Sequence, residues 1–101
     1  MSIIFTIKTP LKVTIRTTQE YWQYLVDKKH PIMKAKIDIV KETLSEPDTV
    51  MQSNIDKSVF LYYKEFDRLY CVVTRHLDDE GFLITAYPCD KIKEGATVWE
   101  K

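Results

Sequence analysis

Two histidines, two cysteines and a scatter of lysines, tyrosines and threonines are the side chains with chemistry to offer. His30 follows Lys28-Lys29 and precedes Pro31, which places it in a junction between two helical stretches, where functional side chains concentrate. An imidazole there can take or give a proton near neutral pH. A histidine that merely caps a helix end is the other reading of the same position. His76 precedes the acidic turn Asp78-Asp79-Glu80; nearby acids favour the protonated form, so it is expected at the surface and ranks below His30. Cys71 and Cys89 have no C-x-x-C spacing that would hold zinc or run redox chemistry. Cys71 lies in an apolar run, as a small buried thiol does, and Cys89 after Pro88 is nearer to solvent. No metal and no cofactor is expected.

Charge is unevenly placed along the chain. From Asp27 to Lys41 five lysines stand against two aspartates, whereas from Glu42 to Asp67 six acids stand against two lysines. Lysines beside His30, Lys34 among them, can gather phosphate as point charges. A solvated, lysine-rich helix face explains the same pattern. Fifteen basic residues cancel fifteen acidic ones over the whole chain, so no global field draws it to a polyanion and any nucleic-acid site has to be local. The 101 residues fit one domain, and 45% apolar and 30% charged residues exclude collagen-like, low-complexity and disordered classes. Apolar runs such as Ile3-Ile4-Phe5 fall far short of the roughly 20 residues needed to span a bilayer, and Lys8 interrupts the first of them too early for an export signal. A cytoplasmic protein with no membrane partner is expected.

The elements that must position these side chains follow from periodicity. Alternation predicts strands over Ser2–Lys8 and Leu11–Arg16, broken by Thr9-Pro10. Thr17 and Glu20 have capping-box spacing ahead of a helix over Thr18–Lys28, whose Trp22, Leu25 and Val26 share a face. Pro31 can open a second helix, in which Met33, Ile37, Val40 and Leu44 form a 3.6-residue stripe ending at Ser45-Glu46-Pro47. From Val50 the period is two, with strands predicted at Val50–Gln52, Ser58–Glu65, Leu69–Arg75 and Gly81–Tyr87. The architecture is α+β: two helices from the N-terminal half packed on one face of an antiparallel sheet, in a single domain over residues 1–101.

Parity then divides the sheet into two faces once one core position per strand is chosen. With Leu61, Cys71 and Ile84 turned toward the helices, the opposite face carries Phe60, Tyr62 and Lys64, then Val72, Thr74 and His76, then Leu83, Thr85 and Tyr87. Hydroxyls, an amine and an imidazole gather there on aromatic ground, a mixture that suits a polyanion with bases. A plain solvated sheet face is the other reading. Tyr62, Tyr63, Tyr70 and Trp99 would serve equally as anchors for a protein partner.

The junction Lys28-Lys29-His30-Pro31, the strand segment Leu61-Tyr62-Tyr63-Lys64 and the run Ile84-Thr85-Ala86-Tyr87 followed by Asp90-Lys91-Ile92-Lys93 are the parts that resemble a known group. Over residues 12–101 the chain resembles the small bacterial barnase–EndoU–colicin–RelE-like (BECR) nucleases. The resemblance implies helices packed on a curved antiparallel sheet and a metal-independent endoribonuclease, the toxin of a toxin–antitoxin pair. It implies His30, Lys64, Thr85 and Tyr87 as the catalytic set, and RNA and a small acidic antitoxin as partners; Lys34, Tyr62, Thr74 and Lys91 are then expected to contact the RNA. Where relatives often carry a second histidine in the first helix, this chain has Tyr24, and an acid common after the His-Pro pair is replaced by Ile32. Metal-free cleavage needs a base for the 2′-hydroxyl proton, an acid for the departing oxygen and donors for the phosphorane. His30, Lys64, Thr85 and Tyr87 are assigned to those tasks, with Tyr62 stacking a base and a 2′,3′-cyclic phosphate as product. A non-catalytic RNA- or protein-binding module on the same fold is the alternative.

Overall fold

A computed structural model describes residues 2–93 and 95–101. The hairpin β1 (Ile3–Lys8) and β2 (Thr14–Thr18) leads into α1 (Gln19–Tyr24), which loosens into a wide π-type turn over Leu25–Lys29. A single 3-10 turn, Pro31–Met33, precedes α2 (Ile37–Ser45). Four strands then form an antiparallel meander: β3 (Thr49–Gln52), β4 (Val59–Glu65), β5 (Leu69–Leu77) and β6 (Glu80–Cys89). β7 (Ala96–Glu100) returns to pair antiparallel with β3, and β2 lies parallel to β6, giving the sheet order β1-β2-β6-β5-β4-β3-β7. The predicted α+β class holds, with a mostly antiparallel sheet of seven strands among the described residues. No helix among them is long and apolar enough to cross a membrane.

Local departures from the expected elements have local causes. The helix cap is Thr18, not Thr17: its hydroxyl accepts from the Tyr21 N–H, while Thr17 is buried in β2. Pro31 opens only one turn, because Lys34 is extended (ψ 133°) and Ala35 takes a positive φ of 66°, so the second helix begins six residues later, at Ile37. The apolar stripe is nonetheless right, since Met33, Val40 and Leu44 are all buried. β7 was not expected; its exposed residues carry no clear alternation.

One large core joins Phe5, Val13 and Ile15 of the hairpin with Trp22, Leu25 and Val26, with Met33, Val40 and Leu44, and with Val50, Tyr62, Tyr70, Val72, Leu83 and Ala86 of the sheet. A smaller cluster on the other face holds Met51, Tyr63 and Cys71, flanked by Leu61, Val73 and Tyr87. The expected faces of β4 and β5 are therefore exchanged: Tyr62, Val72 and Thr74 point into the helix-covered core, and Leu61, Tyr63 and Cys71 away from it. Both rows of β4 and β5 are rich in apolar side chains, so alternation alone does not choose between them; β6 differs again, because it carries a bulge. Val73 pairs with Thr85 but the next residue, Thr74, pairs with Leu83, which leaves Ile84 as an extra residue. Parity counted through Ile84 changes sign there, so Thr85 and Tyr87 still lie on the open face, whereas Leu83 is buried. Gly81 is required by close approach: a Cβ there would collide with the Arg75 carbonyl oxygen and press on the Ile15 side chain.

His76 is not the surface residue expected. Its ring stacks on Phe60 with centroids 4.0 Å apart, and its Nε2 lies 3.1 Å from the Tyr62 hydroxyl, which also donates to Thr9 Oγ1 at 3.0 Å. Burial, rather than the acidic turn, governs its ionisation and pushes it down to about 4. A depressed histidine favours folding while it is neutral. That stability is present above the ordinary value of about 6.5 and is lost as pH falls toward about 4, because only the unfolded chain takes up the proton in that window. Melting temperatures measured from pH 7 to 4.5 are expected to drop more for the parent than for His76→Gln; equal drops would show that His76 does not carry this dependence. His30, Asp48 and Asp56 titrate alike in both proteins, so the difference isolates His76.

Candidate active site

β2 accompanies β6 only from Thr14–Glu80 to Arg16–Phe82, then turns away into α1. Beyond Phe82 the outer edge of β6 is met by side chains and turns instead of a strand. The Ile84 carbonyl, displaced by the bulge, accepts from the Tyr21 hydroxyl, and Lys29 Nζ lies 3.4 Å from the same oxygen.

The wide turn sets the next residue. The His30 N–H donates to the Leu25 carbonyl five residues back at 2.8 Å, and Pro31 forbids further helix, leaving His30 at φ −140°, ψ 79°. Its ring then lies against Tyr87, with centroids 5.2 Å apart and planes tilted by 43°. Partial burial lowers the His30 imidazole from its ordinary value, and the neighbouring Lys29 charge lowers it further. The ring is neutral at physiological pH and has a lone pair to accept a proton.

Tyr87 sits directly across from Cys71, with Tyr63 beyond it. Burial first, and the Cys71 thiol second, raise the Tyr87 phenol far above the neutral range, so it remains a proton donor. Lys93 completes this face: its Nζ is 5.7 Å from the centre of the Tyr87 ring and its N–H donates to the Tyr63 hydroxyl at 3.2 Å. Two residues before Tyr87, on the same face, the Thr85 hydroxyl is buried and has no hydrogen-bond partner. An orphaned buried hydroxyl is costly, and water or a ligand oxygen would satisfy it. Burial pushes Cys71 up to about 12, which leaves it an inert thiol.

His30, Thr85 and Tyr87 are thus gathered at one edge, and Lys64 is not. Lys64 lies in the helix-facing row of β4, where its Nζ donates to the Glu46 carbonyl at 2.8 Å and stands 3.8 Å from Asp48, in a separate cleft with Trp99 and Lys101. Tyr62 and Thr74 are fully buried, and the Thr74 hydroxyl donates to the Phe60 carbonyl, so neither can stack on or hold RNA. Both corrections come from the exchanged faces of β4 and β5. Lys34 and Lys91 are exposed, one shortly after His30 and the other just past the end of β6. Tyr21, Lys29 and Lys93 were missed as site residues. Lys29 and Lys93 stood inside the motifs already singled out; Tyr21 meets Ile84 across 63 positions and carries no sequence signal of that contact.

Among the described residues no three His, Cys, Asp or Glu side chains converge as a metal ligand set. Compared with family models, curated proteins and solved structures, the chain has no match.

Proposed function

We propose that the chain is a metal-independent endoribonuclease on a BECR/RelE-like fold, a cytoplasmic toxin of a toxin–antitoxin pair that cuts RNA at the edge of β6. The observation that carries this reading is the orphaned Thr85 hydroxyl beside the His30–Tyr87 pair. Neutral His30 takes the 2′-hydroxyl proton as O2′ bonds to phosphorus. Thr85 donates to the phosphorane and Lys29 supplies positive charge in place of Lys64. The P–O5′ bond then breaks, O5′ takes its proton from the Tyr87 phenol, and His30 returns the first proton to Tyr87. The products are a 2′,3′-cyclic phosphate and a 5′-hydroxyl. Lys34, Lys91 and Lys93 hold flanking phosphates, and an acidic antitoxin covering Lys34 and the Thr85–Tyr87 edge would compete for the same donors, complementary charge speeding its encounter.

Single-stranded RNA incubated with the protein in excess EDTA is expected to be cut to fragments ending in a cyclic phosphate. Activity lost to the chelator and restored by magnesium would sink the mechanism. The site's single histidine favours one second reading, a module on the same edge that docks RNA without cutting it; retention of intact RNA identifies that case.

A further inference from the structure

Where β2 leaves β6, the wedge between them is a cavity of about 420 Å³ lined by Ile3, Arg16, Thr18, Tyr21, Phe82 and Leu83, within the usual size of ligand sites. Its walls are largely apolar, yet two of its large side chains are left to water: Ile3 is 57% and Phe82 42% exposed. At one end of its rim stands the Arg16–Glu80 ion pair, 2.6 Å long. At the other, Tyr21 both lines the cavity and donates to the Ile84 carbonyl, the oxygen that Lys29 approaches and that precedes Thr85. From Leu83 to Tyr87 is four strand steps, about 13 Å.

We propose that this wedge is a nucleobase-binding subsite, in which a base stacks on Phe82 against Ile3 and Tyr21 while its backbone continues along β6 toward His30. The proposal rests on the ribonuclease reading and extends it to substrate selection. A base offers apolar faces for these walls and a polar edge for the Thr18 and Arg16 rim, and stacking on aromatic side chains is the general means of holding single strands. Lys29 at the Tyr21 end supplies positive charge for a backbone phosphate and the Arg16–Glu80 pair offers a donor and an acceptor to a base edge, which favours a base carried on a phosphate backbone over an acyl chain or an apolar peptide.

The test is titration of the isotope-labelled full chain with adenosine and uridine, which carry no phosphate, and separately with inorganic phosphate, read by chemical-shift changes. At least one nucleoside is expected to shift Ile3, Tyr21 and Phe82 saturably. Affinity should fall at least five-fold in Phe82→Ala and in Ile3→Ser, two half-exposed positions whose truncation leaves the buried core intact. Phosphate should leave the wedge unmoved. Nucleosides that shift none of these residues, or that bind both variants as tightly as the parent, would overturn the subsite. The outcomes separate the two readings: nucleoside binding with no RNA cleavage keeps the subsite and removes the nuclease, whereas cleavage without nucleoside binding does the reverse.

Discussion

Replacing His30 with alanine is expected to lower the rate of RNA cleavage by about 10²–10⁴-fold, the range for loss of a positioned general base. Among the described residues placed at the β6 edge above, the imidazole is the one with a basic lone pair at physiological pH: Thr85 and Tyr87 are hydroxyl donors there, and Lys29 and Lys93 are cations. Folding should change little, since His30 sits at a turn held by its backbone N–H to Leu25, a bond alanine keeps. Because burial and Lys29 both lower the His30 pKa, the parent's cleavage should fall with acid only below the ordinary histidine range. In cells, expression of the parent should slow growth and co-expression of an acidic neighbouring gene should relieve it, while His30→Ala should be harmless and still bind that partner. A variant as active and as toxic as the parent would remove His30 from the mechanism.

Tyr62→Ala is expected to destabilise the protein by about 3–5 kcal/mol, the cost of emptying a buried aromatic site. For a domain of this length that corresponds to a fall in Tm of at least about 10 °C. Tyr62 is fully buried in the main core, and its hydroxyl joins Thr9 and His76. Tyr62→Phe separates the two contributions: it keeps the ring and leaves the other two side chains short of a partner, at a cost of about 1–3 kcal/mol. Denaturant unfolding checks both. If Tyr62→Ala matched the parent in stability and instead lost RNA affinity, Tyr62 would be an exposed stacking platform, as the sequence suggests, and the placement of β4 would be in error.

That contrast shows where legibility ends. The period-two and 3.6-residue patterns located both helices and six of the strands, because alternation and helical stripes reflect burial element by element. They do not say which face of a strand is buried when both are apolar. β4 reads Phe60-Leu61-Tyr62-Tyr63, and either parity buries an aromatic. The choice is made by which row meets the helices, and in β6 the parity changes as well at the Ile84 bulge, which nothing in Gly81–Tyr87 announces. His30, Thr85 and Tyr87 were legible as chemistry-bearing residues and do converge at one edge; Lys64 has the right chemistry and the wrong face. His76 was misjudged for a related reason. Its neighbours in sequence are acids, but its neighbours in space are Phe60 and Tyr62, brought there by strand pairing.

The parallel seat of β2 beside β6 also bears on how the chain is made. Thr14–Arg16 must wait for Glu80–Phe82 before they can pair, and His30 must wait for Tyr87. At roughly 5–20 residues per second of synthesis, the N-terminal hairpin spends several seconds with that edge unmet. Contacts so distant in sequence form late in folding as well. A nascent chain therefore cannot bring His30 against Tyr87 until the whole of β6 has emerged, so whatever this edge does begins only after synthesis has passed it.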